Sequence, residues 1–314
     1  MTPLAGLLVV DLSRYLPGAF AARELRRLGA RVVRLEPPEG DPMRATAPAW
    51  HDALNAGAES VACDLKAEPE LGHALCSRAD VVLESFRPGV AARLGVGPDD
   101  LPGTIVYCSI TGFGTAGRHA GRAGHDLNYL GWAGALADTA PALPPVQAAD
   151  LAAGSLAAVA EILAALLERG RTGSGRHIVV SMTHGSHRLV AQRTRHLTGG
   201  LASYRIYATA DGLYLTVAAL EPKFFARLCE LLELPELAAR QYDPKAQDEL
   251  AAALAAAFAA RPLAEWLSLF EHEDVCVGPV ATLAEAASEF GEPARVEAPA
   301  LGQHTAQWRR TLEL

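Results

Sequence analysis

Short apolar runs and helical patterns alternate along the first 190 residues. Residues 7–12 form an apolar run with two valines, as in a buried strand, and Pro17 and Gly18 are expected to end it. A helix is predicted over 19–28 and a second strand over 31–35. A strand, a helix and a strand in this order favour a parallel sheet.

The alternation continues to about residue 182 and indicates the fold class. Strands are predicted over 60–63, 81–84, 105–110 and 177–182, and helices over 69–77 and, directly after Asp150, over 151–169. We therefore predict an α/β fold whose large domain is built on a Rossmann-like parallel sheet. A dinucleotide site with Glu36 on a ribose is disfavoured, because the Gly-x-Gly-x-x-Gly turn of such sites is absent.

The pattern changes after about residue 190. Residues 192–203 are polar and contain glycine, as a linker would, and Asp211 and Gly212 lie between two apolar runs, which is typical of a hairpin. Three helices are predicted beyond the hairpin, over 223–232, 247–260 and 262–270, and no strong pattern follows residue 300. The predicted domains are a large one over 1–190, a smaller α+β one over 203–284, and a segment over 285–314 that returns to the large domain.

Composition and charge disfavour several classes of protein. The net charge of -8 is unlike that of a nucleic-acid-binding domain, which needs a basic face. The N-terminus lacks the basic region of a signal peptide, and residues 151–167 contain Glu161 and are expected to be too polar for a membrane span. The five cysteines have neither disulfide nor metal spacing. We expect a cytoplasmic protein without bound metal, separate cofactor, nucleic-acid partner or membrane partner.

Three positions carry candidate acid-base chemistry. A glycine-rich segment ends at His125 and Asp126, where α/β sheets often build sites, although a lone His-Asp pair is also typical of a turn. Asp150 stands at the start of a predicted helix, where a carboxylate is an ordinary N-cap and also a well-held general base. Glu221 follows a strand-like run, and by itself indicates only a solvated carboxylate or the opening of a helix.

Basic side chains in the first 125 residues are candidates for a local phosphate-binding patch. Singly, each is typical of a surface charge, but together they would give an acidic protein the positive patch that an anionic ligand needs. They are Arg34, Lys66, Arg87, Arg93, Arg118 and Arg122.

Short motifs spread over nearly the whole chain resemble the type III CoA-transferase superfamily. Each motif is weak alone, and their common order makes the resemblance specific. They lie at 12–18, 28–34, 36–42, 64–66, 87–90, 111–114, 171–175 and 301–305. The resemblance implies a large α/β domain with a smaller domain, in two chains interlocked as a homodimer.

Two further segments resemble the α-methylacyl-CoA racemase branch of that superfamily. One is 124–129, Gly-His-Asp-Leu-Asn-Tyr, where the transferases more often have an aromatic residue in place of the histidine. The other is 217–225, which is similar to a racemase stretch that carries a glutamate. This resemblance implies epimerisation beside the carbonyl of a 2-methylacyl-CoA, by removal of a proton from one face and its return to the other.

The same resemblance assigns a role to each catalytic candidate. His125 and Asp150 would be the two bases, and Glu221 would orient the imidazole and stabilise its charged form. The backbone N–H of Asp126 would support the enolate oxygen. In the interlocked homodimer, His125 and Asp150 come from one chain and Glu221 comes from the other.

The resemblance also implies where the coenzyme A part of the substrate lies. The positions are Cys63, Asp64, Leu65, Lys66, Ser85, Phe86, Arg87, Arg93, Gly124, Leu127, Asn128 and Tyr129. Residues 55–60 depart from the family pattern, because this segment is usually basic there and contains Glu59 here. Pro37 stands where racemases often have arginine, although the transferases commonly have proline at that point.

Two alternatives stay open on the sequence. A type III CoA-transferase would use Asp150 as a nucleophile that forms an acyl anhydride, and that reaction needs neither His125 nor Glu221 as a base. A repurposed relative would act on a substrate whose acyl carrier is not coenzyme A, which the altered segment 55–60 permits.

Overall fold

The computed structural model describes residues 2–292, 294 and 296–314, which form two compact units. The larger contains residues up to 191 and the C-terminal segment from 296, and the smaller contains 192–292 and 294. The predicted linker is therefore partly core of the smaller unit. Leu201 and Ala202 are buried there, and Ala202 N–H donates to Gln247 Oε1 at 2.9 Å. Residues 285–292 also belong to the smaller unit rather than to the returning segment.

A six-stranded parallel sheet is the centre of the larger unit. Its strands are β1 (Leu8–Asp11), β2 (Arg31–Glu36), β3 (Glu59–Ala62), β4 (Val81–Glu84), β5 (Val106–Thr111) and β6 (Arg176–Ser181). The spatial order is β3-β2-β1-β4-β5-β6. This is the Rossmann order, and the α/β prediction is confirmed. The order reverses between β1 and β4, so a crevice is expected at their carboxyl ends.

Both faces of this sheet are covered, as parallel sheets require. Val9 and Val10 of β1 point to opposite faces, and each lies in a different hydrophobic cluster. The helices up to residue 190 are α1 (Leu16–Arg27), α2 (Met43–Thr46), α3 (Pro48–Asn55), α4 (Pro69–Ser77), α5 (Val90–Arg93), α6 (Asp126–Ala133), α7 (Ala157–Thr172) and α8 (Met182–Val190). A π-helix, Ala149–Leu156, precedes α7 directly.

Helix α1 begins three residues earlier than predicted. Pro17 and Gly18 were expected to separate the first strand from the helix, but they lie in the first turn of the helix. A proline there loses no helical hydrogen bond, because the first N–H groups of a helix have no partner within it. A Cβ on Gly18 would lie 1.8 Å from Ser13 Oγ, so the glycine allows close packing against the strand end.

The sequence predicted that residues 151–167 are too polar to span a membrane, and the hydropathy of this stretch contradicts that prediction. The helical stretch Ala149–Thr172 is long enough to cross a bilayer, and an 18-residue window within it has a mean hydropathy of 1.8. In the structure 44% of that window is buried, and Ile162 and Ala165 pack in the core against the sheet. A core helix of a globular domain has the same character.

The smaller unit is an antiparallel sheet packed against helices. Its strands are β7 (Tyr204–Ala208), β8 (Tyr214–Ala218) and β9 (Val277–Pro279), in that order. The predicted hairpin between β7 and β8 is confirmed, whereas β9 was not predicted. The helices are α9 (Pro222–Leu231), α10 (Gln247–Phe258), α11 (Leu263–Phe270) and α12 (Leu283–Phe290), with 3-10 turns at Arg195–Leu197 and Pro235–Arg240. Phe225, Phe258 and Trp266 lie in its core.

The C-terminal tail has more structure than its sequence indicated. Helix α13 (Thr305–Leu312) lies against α4 and β3 and buries Trp308. The Trp308 indole N–H donates to Glu59 Oε2 at 2.7 Å, and Arg31 Nε lies 2.6 Å from Glu59 Oε1. Glu59, the acidic residue in the altered segment 55–60, is therefore held in place by hydrogen bonds from Trp308 and Arg31.

Candidate active site

Two cavities lie at the carboxyl end of the parallel sheet, where its strand order reverses. The first, here called the Asp64 cavity, has a volume of about 320 Å³ and is lined by residues that follow β1, β2, β3 and β4. The second, the His125 cavity, has a volume of about 460 Å³ and is lined by residues that follow β1, β4 and β5. Arg14 and Phe86 line both, so the cavities adjoin across the reversal point.

His125 stands at the start of α6 and lines the second cavity. Its backbone N–H donates to Asn128 Oδ1 at 3.1 Å, which fixes the turn into the helix. The Tyr129 hydroxyl donates to the Gly124 carbonyl, and a Cβ on Gly112 would lie 2.5 Å from the Tyr129 ring. The glycines therefore let Tyr129 pack under the segment that presents the imidazole.

Asp150 lines the same cavity, but it is not the simple N-cap that the sequence indicated. It lies in the first turn of the π-helix, and its own N–H donates to Asp126 Oδ1 at 2.9 Å. The Ser155 hydroxyl lies 2.8 Å from the Asp150 carbonyl and 2.6 Å from the Pro17 carbonyl. Single π-helical turns are frequent at functional sites. Here the wide turn brings residue 155 back to residue 150.

The electrostatic surroundings of Asp150 favour its neutral form. Burial raises the pKa of Asp150 to about 7, and the nearby Asp126 carboxylate contributes in the same direction. The Tyr129 pKa is raised to about 12 by burial and by the same two carboxylates, so its hydroxyl stays protonated. Asp150 can thus gain or lose a proton near neutral pH.

Asp126 is the first residue of α6, where a backbone N–H has no acceptor within the helix. In the described part of the chain no other acceptor pairs with this N–H. Asp126 is absent from the residues that line either cavity, and its side chain accepts a hydrogen bond from Asp150 N–H in the π-helix. The role of its N–H beside an enolate oxygen stays a prediction.

Tyr15 has an unusual backbone next to His125. Its φ of 63° is rare for a residue with a side chain, and its N–H donates to Asp41 Oδ2 at 3.1 Å. The Tyr15 ring meets the His125 imidazole edge-on, with 5.9 Å between centroids. The strained turn after β1 thus places an aromatic ring against the candidate base.

Arg34 was expected in a ligand-binding basic patch, and this is wrong. Its side chain is 2% exposed, with Nη1 at 2.9 Å from Asp11 Oδ2 and Nη2 at 2.8 Å from Asp41 Oδ2. The guanidinium also donates to the Ser13 carbonyl. Arg34 therefore holds the β1–α1 turn, and through Asp41 the position of Tyr15.

Most of the positions predicted to hold coenzyme A line one of the two cavities. The Asp64 cavity contains Cys63, Asp64, Leu65, Lys66 and Phe86, and the His125 cavity contains Ser85, Phe86, Arg87, Gly124, Asn128 and Tyr129. Arg93 and Leu127 line neither cavity. The Cys63 thiol is buried and donates to the Glu68 carbonyl, and burial raises its pKa to about 11.

Sequence reasoning missed several lining residues. Arg14, Tyr15 and Pro17 follow β1 directly, and Met182 follows β6. Their position at the carboxyl ends of strands was the signal that would have found them. Arg122 was a candidate only as a basic residue, and it lines the His125 cavity with its guanidinium 5.3 Å from the Trp132 ring centroid.

Glu221 belongs to the smaller unit, where it directly precedes α9. The Leu220 carbonyl accepts from Gln241 Nε2 at 2.7 Å and from the Tyr242 hydroxyl. Gln241 Nε2 also donates to the Ala219 carbonyl at 2.9 Å. The segment that carries Glu221 is therefore fixed by side chains from the loop after Pro235–Arg240.

The chain can now be placed among known proteins. The family model of CoA-transferase family III matches residues 4–295. The chain belongs to CoA-transferase family III. Among solved structures of this family, it is similar to Rv3272 from M. tuberculosis, with a TM-score of 0.86 and 28% identity over 98% of this chain and 99% of that one. A CAIB/BAIF family protein from Brucella suis gives a TM-score of 0.83, with 28% identity over 99% of both chains.

Relatives in CoA-transferase family III include two kinds of enzyme. The chain is 35% identical to the alpha-methylacyl-CoA racemase of Homo sapiens, over 90% of this chain and 78% of the relative. It is 33% identical to the succinyl-CoA:glutarate CoA-transferase of Mus musculus, over 92% of this chain and 74% of the relative. The family is therefore enzymatic, and both racemases and transferases lie within a similar distance of this chain.

Proposed function

We propose that this protein is an epimerase that inverts the α-carbon of a 2-methylacyl-CoA by transfer of a proton between two bases. The observation that carries the proposal is that His125 and Asp150 line one cavity at the carboxyl end of the sheet. The α-C–H of a thioester is weakly acidic. Inversion needs one group to remove its proton and a second group to return one to the opposite face.

The pKa of Asp150 supports proton transfer over nucleophilic attack. A carboxyl with a pKa of about 7 is present in both protonation states near neutral pH, as a base that must also act as an acid requires. A nucleophile that forms an acyl anhydride must be ionised when it attacks. The free N–H of Asp126, at the start of α6, would stabilise the enolate oxygen.

Glu221 enters the proposal through a second copy of the chain. We infer an interlocked homodimer in which Glu221 of one chain orients His125 of the other. Its hydrogen-bonded segment, anchored by Gln241 and Tyr242, is suited to hold a carboxylate in one place. The imidazole would then gain the oriented partner that a catalytic histidine commonly has.

Deuterium exchange tests the reaction. A single enantiomer of a 2-methylacyl-CoA is incubated with the protein in heavy water, and α-deuterium uptake and inversion are followed. We expect both, with no transfer of the acyl group to a second acid. His125→Ala and Asp150→Ala should each abolish inversion, whereas His272→Ala and Asp248→Ala, in the other unit, should not. Full inversion by either cavity variant would overturn the two-base assignment.

Acyl transfer is the second candidate, because transferases are among the relatives of similar identity. In that case Asp150 would attack the thioester and form an acyl anhydride that hydroxylamine traps. Transfer to an acceptor acid without α-deuterium uptake would establish this reaction and exclude the epimerase. His125→Ala would then retain activity, since the transfer needs no imidazole base.

Complementation tests the homodimer. Asp150→Ala and Glu221→Ala are each expected to be inactive as pure proteins. When the two are co-expressed, a mixed dimer has one site with both residues intact. Random pairing then restores about a quarter of the wild-type activity. No recovery from verified mixed dimers would show that Glu221 does not act on the partner's site.

A further inference from the structure

The larger unit has a further cavity, here called the Trp132 pocket, which shares no described lining residue with the other two. It has a volume of about 300 Å³ and lies between the loop after β5, α6 and α8. A cavity of about 150 Å³ is enough for a benzene molecule, so the pocket has room for an aromatic ring with a side group. The residues that bear on its chemistry are Phe113, Arg118, His119, Trp132, Thr183 and His184.

Aromatic rings form much of the wall of the Trp132 pocket. The His119 imidazole contacts two of them, with 5.9 Å to the Phe113 centroid and 4.4 Å to the Trp132 centroid. Trp132 is nevertheless 52% exposed, so a large part of its indole is open to solvent. Because a ligand that covers this ring removes apolar surface from water, the wall favours a ligand with an aromatic body.

His119 holds the Arg118 side chain without compensating its charge. Arg118 Nε donates to His119 Nε2 at 2.9 Å, so that nitrogen carries no proton and the imidazole is neutral. Partial burial and the guanidinium groups of Arg122 and Arg118 lower the pKa of His119, which is consistent with this neutral form. The Arg118 guanidinium makes no ion pair with any described residue, and its two remaining nitrogens are free to donate.

Two further groups of the pocket are hydrogen-bond donors. The Trp132 indole N–H pairs with no described residue. Ser181 Oγ accepts from the His184 N–H at 3.4 Å and lies 2.8 Å from His184 Nδ1, so its own proton points to Nδ1 and the imidazole proton is assigned to Nε2. The Thr183 hydroxyl donates to the Gly112 carbonyl at 2.7 Å. Among the described residues that line the pocket none is a carboxylate, so the donors outnumber the acceptors.

We propose that the Trp132 pocket binds a small aromatic carboxylate and is a site separate from the His125 cavity. The ring of the ligand packs against Trp132, and its carboxylate accepts hydrogen bonds from Arg118 and from a neutral N–H of the pocket. A carboxylate offers only acceptors, which are what the pocket lacks. The site backs onto the His125 cavity, since Gly112 and Met182 line that cavity and the next residues, Phe113 and Thr183, line the pocket.

Calorimetric titration with three probes tests both halves of this recognition. Phenylacetate has the ring and the charge, phenylacetamide keeps the ring without the charge, and acetate keeps the charge without the ring. We expect phenylacetate to bind roughly tenfold more tightly than either of the others at low ionic strength, because one charge-assisted hydrogen bond is worth about that factor. Equal binding of phenylacetate and phenylacetamide, equal binding of phenylacetate and acetate, or no binding of phenylacetate would overturn the inference.

Arginine variants locate the bound carboxylate. Arg118→Gln should weaken phenylacetate binding about tenfold and leave phenylacetamide binding unchanged, since only the charged probe loses its partner. Arg310→Gln is the matched control, because Arg310 is an exposed arginine of α13 in the same unit, and it should leave both affinities unchanged. Wild-type affinity in Arg118→Gln, or an equal loss in Arg310→Gln, would contradict the assignment to this pocket.

Arg87→Gln tests the other place where a carboxylate could bind. Arg87 lines the His125 cavity, so phenylacetate affinity should not change in this variant if the two sites are separate. A loss equal to that in Arg118→Gln would place the anion in the His125 cavity and overturn the inference. The inference does not rest on the proposed function. If deuterium exchange fails while the Arg118-dependent binding of phenylacetate holds, the epimerase is overturned and the pocket stands.

Discussion

The backbone N–H of Asp150 donates to Asp126 Oδ1 at 2.9 Å. This bond joins the first residue of α6, next to His125, to the π-helix that carries the second candidate base. It also brings a carboxylate close enough to add to the effect of burial on the Asp150 pKa. One side chain therefore influences both the position and the protonation of Asp150.

Asp126→Asn should move the pH dependence of inversion to lower pH. An asparagine Oδ1 still accepts from Asp150 N–H, but the negative charge is gone, so the Asp150 pKa falls below about 7. With the enantiomer whose proton Asp150 removes, the wild-type rate should rise with pH through about 7. With the opposite enantiomer, Asp150 donates and the rate should fall over the same range. Both limbs should shift together in pH–rate profiles.

The matched control is Asp248→Asn, an exposed position in the other unit that should leave both limbs in place. Limbs that stay near pH 7 in Asp126→Asn, with wild-type rates, would show that the Asp126 charge does not act on the titrating base.

Asp150→Asn should stabilise the protein at alkaline pH while it abolishes inversion. The folded pKa of about 7 lies above the ordinary aspartate value of 3.8, so between these two pH values the native state holds a proton that the unfolded state has lost. That stability is present below pH 4 and is lost as pH rises through about 7. The variant avoids the loss, which is on the order of 2 kcal/mol for this partly exposed group. Denaturant unfolding at pH 4 and pH 8 measures the difference, and a variant no more stable at pH 8 would contradict it.

Much of the larger unit was predictable from the sequence for a simple reason. Paired apolar β-branched residues, such as Val9-Val10 and Val32-Val33, fit only a strand that is covered on both faces. The helical tail was not predictable, because α13 is anchored chiefly by one buried residue, Trp308. A single apolar position gives no periodicity.

The residues of the candidate site were predictable from the sequence, but the hydrogen bonds and ion pairs that position them were not. His125 and Asp150 stood out because of the motifs around them. The bond from Asp150 to Asp126 spans 24 residues and depends on the fold. Burial of Arg34 was missed for the same reason, since a lone arginine resembles a surface charge until Asp11 and Asp41 close around it.

Ser155→Ala should lower kcat by about tenfold with little change in KM, because the Asp150 segment loses its link to Pro17. The loss of this buried hydrogen bond should also cost about 1 kcal/mol of stability. Ser186→Ala is the matched control. Its hydroxyl is equally buried and has no hydrogen-bond partner among the described residues, so neither kcat nor stability should fall. Equal losses in the two variants would mean that the Ser155 bonds do not position Asp150.

Tyr242→Phe should impair catalysis through Glu221 without touching either cavity of the larger unit. The Tyr242 hydroxyl donates to the Leu220 carbonyl, directly before Glu221. Phenylalanine retains the aromatic ring and removes only that hydrogen bond. We expect kcat to fall roughly 2- to 10-fold, the kinetic equivalent of one hydrogen bond, with KM unchanged.

Tyr214→Phe is the matched control, because Tyr214 is 52% exposed against 48% for Tyr242 and its hydroxyl pairs with no described residue. In a Glu221→Gln background Tyr242→Phe should have no further effect, since there is no carboxylate left to position. A full additional loss in that background would assign Tyr242 to stability alone.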